Sequence, residues 1–154
     1  MGIKFDYTFQ ELNRQDIEGF EKRNNIILPS DYKEFLLKHN GGKPSVRRFV
    51  TQDGKITSSI MMYFPLSEQA EMNLEDKYRM YTIGKIVPSN FLPIGIDPAD
   101  SLICLSVRGN DIGKVYFCDM DYFEEDKELK EEFIVVIAES FTDFTSKLFI
   151  PDNS

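Results

Sequence analysis

Eleven carboxylates stand between positions 97 and 132: Asp97, Asp100, Asp111, Asp119, Asp121, Glu124, Glu125, Asp126, Glu128, Glu131 and Glu132. Only Arg108, Lys114, Lys127 and Lys130 oppose them, so this stretch carries −7 of the chain's net −8. Paired carboxylates can do acid–base or glycosidase work, but acids this abundant leave no pair singled out by spacing. Asp97, Asp100 and Asp111 lack the loop spacing of a calcium site. A block of uncompensated negative charge disfavours direct nucleic-acid binding, which draws its affinity from basic side chains that release phosphate counterions. It favours a basic protein surface, because complementary charge speeds encounter. The plainer alternative is a solvated acidic face that serves solubility.

Other chemically able residues are sparse. His39 is the one histidine, and it has no Cys or His at metal spacing. It falls in the last turn of a helical pattern, where a positive charge suits the helix dipole. Cys104 and Cys118 lie on LICLSV and KVYFCD, the arms of one apparent hairpin, so near cross-strand contact between two reduced thiols is expected. Neither has a local group that would activate it as a nucleophile. Gly41-Gly42-Lys43 lacks the preceding strand and the following Ser or Thr of a phosphate loop, and serves as a helix stop. No catalytic residue, cofactor or metal ligand is assigned, and the chain is not expected to be an enzyme.

The elements that must position these residues follow from pattern. At 154 residues, 42% of them hydrophobic with 13 Phe and 7 Tyr, one domain with an ordinary core is expected. No apolar run approaches the length of a membrane span, and MGIKFDYTFQ has neither an export signal nor a myristoylation pattern. These features predict a cytoplasmic protein that does not engage membranes.

Phe5, Tyr7 and Phe9 alternate as in a short strand. Asn13 and Asp16 have the spacing of a capping box, with Leu12 and Ile17 as its hydrophobic staple and Phe20 on the same inward face. Pro29 cannot extend that helix. Ser30 or its neighbour is expected to start a second through a hydroxyl cap, with Tyr32, Phe35, Leu36 and His39 at helical spacing and Gly41 or Gly42 ending it. Ser45–Thr51 and Ile60–Pro65 read as strands around the turn Gln52-Asp53-Gly54-Lys55. Ser67 is expected to cap a third helix running to Tyr81 or Thr82, with Ala70, Leu74 and Tyr78 in register, Glu75 paired with Arg79, Met72, Met80 and Tyr81 in the core, and Gly84 at the end. Strands follow at Phe91–Ile96, Leu102–Val107, Lys114–Asp119 and Phe133–Ala138. Between them lie a tight turn at Asp97-Pro98-Ala99-Asp100 and a hairpin loop at Arg108–Gly113. Ser140 caps a last helix with Phe141, Phe144, Thr145 and Leu148 on one face. Neighbouring strands with helices before, between and after them predict an α+β fold.

The segment LPSDYKEFLLKHNGG after an apolar-aromatic helix resembles the SUKH superfamily. The ordered set that follows, FLPIGID, LICLSV, GKVYFCD and VIAESFTDFTSKL, is similar to that family's central strands and closing helix. The resemblance spans roughly Asn13 to Phe149. Cys118 replaces a frequent Trp, and Asp97-Pro98-Ala99-Asp100 replaces a Gly-rich turn. The superfamily includes yeast cell-wall-assembly regulators and bacterial immunity proteins that neutralise polymorphic toxins. The resemblance implies a single SUKH-like domain over 1–154, with its core at about 13–149 and a mostly antiparallel central sheet flanked by helices. It also implies an immunity protein that binds the C-terminal toxic domain, a nuclease (RNase), of a cognate LXG-type toxin. The alternative it carries is a non-enzymatic regulatory interaction module. Charge places the expected toxin-binding surface at Asp97, Asp100, Asp111, Asp119, Asp121, Glu124, Glu125 and Asp126, with Tyr122 and Phe123 as aromatic anchors.

Overall fold

A computed structural model describes residues 4–124 and 127–151. A five-stranded antiparallel sheet organises it, in the order β5-β6-β7-β8-β9. Before this sheet come β1 (Phe5–Tyr7), α1 (Arg14–Asn24), α2 (Ser30–Lys38), β2 (Lys43–Pro44), β3 (Arg48–Val50) and β4 (Thr57–Ser59). The sheet strands are β5 (Met62–Tyr63), β6 (Phe91–Ile96), β7 (Leu102–Ser106), β8 (Val115–Cys118) and β9 (Ile134–Ala138). Between β5 and β6 lies α3 (Leu74–Lys77), which continues as a π-helical turn at Tyr78–Ile83, and α4 (Phe141–Lys147) closes the chain. Helices before, between and after a set of antiparallel strands make this an α+β fold, as the pattern predicts.

The sheet is covered on both faces, because every position of β7 is buried. Consecutive residues of a strand point to opposite faces, so Phe117 and Tyr116 divide the two sides. On one side Phe117 meets Phe49 at 6.1 Å, and Phe49 meets Phe144 of α4 at 5.8 Å. On the other, Tyr116 stacks on Phe91 at 4.6 Å. Phe35 of α2 lies 4.8 Å from both Tyr63 of β5 and Phe141 of α4, which ties two helices to the sheet edge.

The start of α1 forms as its sequence dictates. The Asn13 side chain accepts from the Asp16 N–H at 2.9 Å, and the Asp16 carboxylate accepts from the Asn13 N–H at 2.9 Å. Ile17 and Phe20 are buried. Ser140 caps α4 by accepting from the Asp143 N–H.

Five local expectations give way. Helix α2 begins at Ser30 as expected, but its neighbour Pro29 holds the cap position and the expected hydroxyl cap bond is not made. Lys38 ends α2, and His39 is extended at φ −142°, so the glycines are not the stop itself. Gly41 and Gly42 have φ of +68° and +103°, and a Cβ on Gly42 would collide with the Tyr7 carbonyl oxygen. Their role is to let β1 and β5 approach. The hairpin partner of β3 is Thr57–Ser59, while Met62–Tyr63 joins the large sheet instead. Asn73, not Ser67, caps α3, accepting from the Asp76 N–H at 2.9 Å. Met80, expected in the core, is exposed, because the π-helical turn changes the register of that face.

Candidate functional site

Strand direction decides which acidic residues meet. In β7 and β8, Leu102 pairs with Cys118 and Leu105 with Val115. The β6–β7 turn and the segment after β8 therefore share one end of the sheet, and the β7–β8 loop lies at the other. Asp97, Asp100, Asp119, Asp121, Tyr122, Phe123 and Glu124 come to the first end. Asp111 goes to the second. Glu125 and Asp126 lie outside the described residues.

Within the first end the carboxylates have different duties. Asp97 is buried, accepts from the Ala99 and Ser101 N–H groups at 2.9 and 2.8 Å, and accepts from the Ser58 hydroxyl at 2.8 Å. It builds the turn and presents no free carboxylate to a partner. Asp100 is exposed on that turn with φ +65°. The Ser101 hydroxyl accepts from the Met120 N–H at 2.9 Å, which fastens the turn to the segment after β8. Asp119 caps the 3-10 turn Met120–Tyr122, its carboxylate accepting from the Asp121 N–H at 3.1 Å. Its own N–H donates to the Phe133 carbonyl at 2.9 Å.

That last bond sets Phe133 beside Tyr122. The two rings stack at 4.1 Å with planes 8° apart, and Tyr122 stays 58% exposed. Phe123 is also exposed. Glu131 and Glu132 form the 3-10 turn leading into Phe133 and are exposed. Glu124 pairs with Lys127 at 2.8 Å, both largely in solvent. Among the described residues, Asp100, Asp119, Asp121, Glu131 and Glu132 form no ion pair. Phe133, Glu131 and Glu132 were not among the residues expected at the surface. The two glutamates are visible in the acidic run, but the Phe133–Tyr122 contact crosses a chain reversal that spacing does not encode.

At the opposite end Asp111 is an internal acceptor. Tyr116, Ser106 (2.7 Å) and Asn90 (3.1 Å) donate to it. Burial pushes its carboxyl up, but these bonds outweigh burial and hold it below the usual range. The same pairing, added to burial, raises the Tyr116 hydroxyl. Arg108 in the same loop donates to the Tyr78 hydroxyl, to the Ser89 carbonyl, and to the Asn24 and Asn25 carbonyls at the end of α1. Beside it an open groove of about 900 Å³ is lined by Ile27, Leu28, Pro29, Val107 and Ile112.

The remaining candidates are structural. Burial, then Lys38, lowers the affinity of His39 for a proton, and its ring stacks on Phe5 at 4.5 Å. It is therefore a ring packed at the C-cap of α2, the helix-end structural role expected. The Cys104 and Cys118 sulfurs lie 3.8 Å apart as buried free thiols, and burial pushes the Cys104 thiol up. Among the described residues no group of three or more His, Cys, Asp or Glu is arranged to hold a metal ion, and no helix is long and apolar enough to cross a membrane.

Residues 11–147 match the model of the SMI1 / KNR4 family (SUKH-1). The chain belongs to the SUKH-1 family. The matched span begins just before the Asn13 cap and ends with α4, so the SUKH-1 unit contains the whole large sheet and both of its ends. A second similarity is to a Bacillus subtilis (strain 168) protein, the uncharacterized protein YobM. It is 30% identical over 79 residues, covering 49% of this chain and 41% of that relative. The chain thus aligns with less than half of the relative's length. SUKH-1 membership is compatible with an immunity protein.

Proposed function

We propose that this SUKH-1 protein is an immunity protein that binds and neutralises the C-terminal toxic domain of an LXG-type polymorphic toxin, a nuclease acting on RNA, in the cytoplasm. It acts by occupying a surface and carries out no chemistry. Residues 1–154 serve as one binding domain with its core at 13–149. The observation that carries the reading is the gathering of unpaired carboxylates and exposed aromatic rings at one end of the sheet. A nuclease active site is basic because it holds phosphates. An acidic surface of fixed shape can fill it in place of nucleic acid and associate quickly.

The binding surface on this reading consists of Asp100, Asp119, Asp121, Tyr122, Phe123 and Glu124, with Glu125 and Asp126 contributing charge. Asp97 supports the surface from within. Asp111 belongs to the other end, where its carboxylate is already engaged.

Co-expression tests the reading. Cells producing the toxin domain encoded by the neighbouring gene should survive when this protein is present and die without it. Charge reversal at Asp119, Asp121 and Glu124 together should abolish rescue, and calorimetry should show weaker binding at low and at moderate salt. Unchanged binding by the reversed protein would overturn the assignment of the surface. An absence of any toxin gene beside this one, with no rescue, would favour the regulatory interaction module.

A further inference from the structure

We propose that the open face of Tyr122 is a docking site for an arginine side chain of a protein partner. The inference rests on reading the chain as a protein-binding module and names the residue type that its acidic end receives.

Tyr122 is a fixed platform. Phe133 covers one face of its ring at 4.1 Å in near-parallel geometry, while 58% of the residue remains exposed. The turn beneath it is held by the Asp119 cap, by the Phe123 N–H donating to the Met120 carbonyl, and by the Met120 N–H donating to Ser101. The strand pair holds Phe133, whose carbonyl accepts from Asp119. Ordering such a surface on binding therefore costs little conformational entropy.

The surroundings select the occupant. Asp121 adjoins Tyr122, Glu132 adjoins Phe133, and neither of these acids, nor Asp119 or Glu131, is ion-paired among the described residues. A flat exposed ring whose chain neighbour Asp121, and Glu132 next to its stacking partner, form no ion pair among the described residues matches a planar cation. A guanidinium stacks on an aromatic face, is weakly hydrated, and can donate a fork of hydrogen bonds to a carboxylate at the same time. An ammonium satisfies the charge but does not stack. A nucleobase would stack but would bring its phosphate among the acids. A second copy of this chain would bring the same negative surface against itself.

The test is an NMR titration of the isotopically labelled full chain with a tetra-arginine peptide and with a tetra-lysine peptide, at low salt and at about 0.15 M salt. The arginine peptide should shift the ring signals of Tyr122 and Phe133 and the amides of 119–122 and 131–133. The lysine peptide should bind about two- to fivefold more weakly. Tyr122→Leu should weaken the arginine peptide by about the same factor with the spectrum otherwise intact, Tyr122→Phe should retain binding, and Asp121→Asn with Glu132→Gln should weaken both peptides. The proposal is overturned if Tyr122→Leu binds tetra-arginine as tightly as the parent does. Shifts spread over remote acids such as Glu11 and Glu68, with Tyr122 silent, would overturn it equally. This titration contains no toxin, so its failure removes the arginine site alone, and failure of rescue in co-expression leaves a positive titration standing.

Discussion

Individual side chains in the acidic stretch differ more in duty than in type. Asp97 and Asp111 accept donors from inside the protein, whereas among the described residues Asp121 and Glu132 accept none from another side chain. Removing an acceptor that buried donors depend on costs the desolvation of those donors. Asp111→Ala should therefore destabilise the fold by about 1–3 kcal/mol in urea unfolding at neutral pH. The pH dependence has a definite sign. A carboxyl held below its unfolded value stabilises the fold at pH above that value, about 3.9, and this contribution disappears as pH falls through the folded value. The gap between the parent and Asp111→Ala should narrow below about pH 4. Arg108 is the complementary case. Its guanidinium serves four neutral oxygens, among them the carbonyls of Asn24 and Asn25 at the end of α1. Arg108→Ala should cost about 2–4 kcal/mol, read by the same unfolding measurement, because several acceptors lose one shared donor.

Among the elements, α1 and α4 start where the sequence pattern places them and α3 does not, although all three carry the same kind of side-chain cap. Both α1 and α4 are capped by side chains three residues from the N–H they accept, an arrangement set within one turn. Asn13→Ala should lower thermal stability by about 1 kcal/mol, with the loss seen in the unfolding midpoint. In the α3 region the chain spends residues 64–73 reaching the position where the Leu74 N–H meets the Pro65 carbonyl. The helix starts only at Leu74, behind the Asn73 cap, and widens into a π turn. There Thr82 donates to the Phe91 carbonyl of β6 at 2.7 Å, a contact made across the fold. The Gly41-Gly42 pair shows the same division. Its left-handed conformation is a local property of glycine, but the need for it comes from the strand packed above. Gly42→Ala should destabilise by more than about 1 kcal/mol, since it meets both a positive φ and the Tyr7 carbonyl.

Across the whole molecule the five-stranded sheet works as a spacer between two unlike ends. One end is acidic with an exposed aromatic stack. The other is a hydrogen-bonded hairpin loop beside a groove where Ile27 and Ile112 are exposed. Charge concentrated at one end acts over a Debye length and raises the association rate with a basic partner. On the proposed function, the association rate with the toxin domain, measured by stopped-flow, should fall steeply as salt is raised. Reversal of Asp121 and Glu132 should flatten that dependence, whereas reversal of Glu18 beside the far groove should change it little.

The sequence alone determined the fold class, the strands of the large sheet from Phe91 onward, the caps of α1 and α4, the closeness of Cys104 to Cys118 and the concentration of negative charge in residues 97–132. These are short-range or compositional properties: periodicity, cap spacing and summed charge survive without any knowledge of what packs where. Only the tertiary structure decided that Met62–Tyr63 pairs with β6, that His39 is packed against Phe5, and that Asp111 faces away from the other acids. It also turned Asp97 inward and set Phe133 against Tyr122. Each of these depends on strand register and chain reversal, where one residue of shift sends a side chain to the opposite face, so a carboxylate's freedom to meet a partner is settled by its neighbours in space and not by its place in the acidic run.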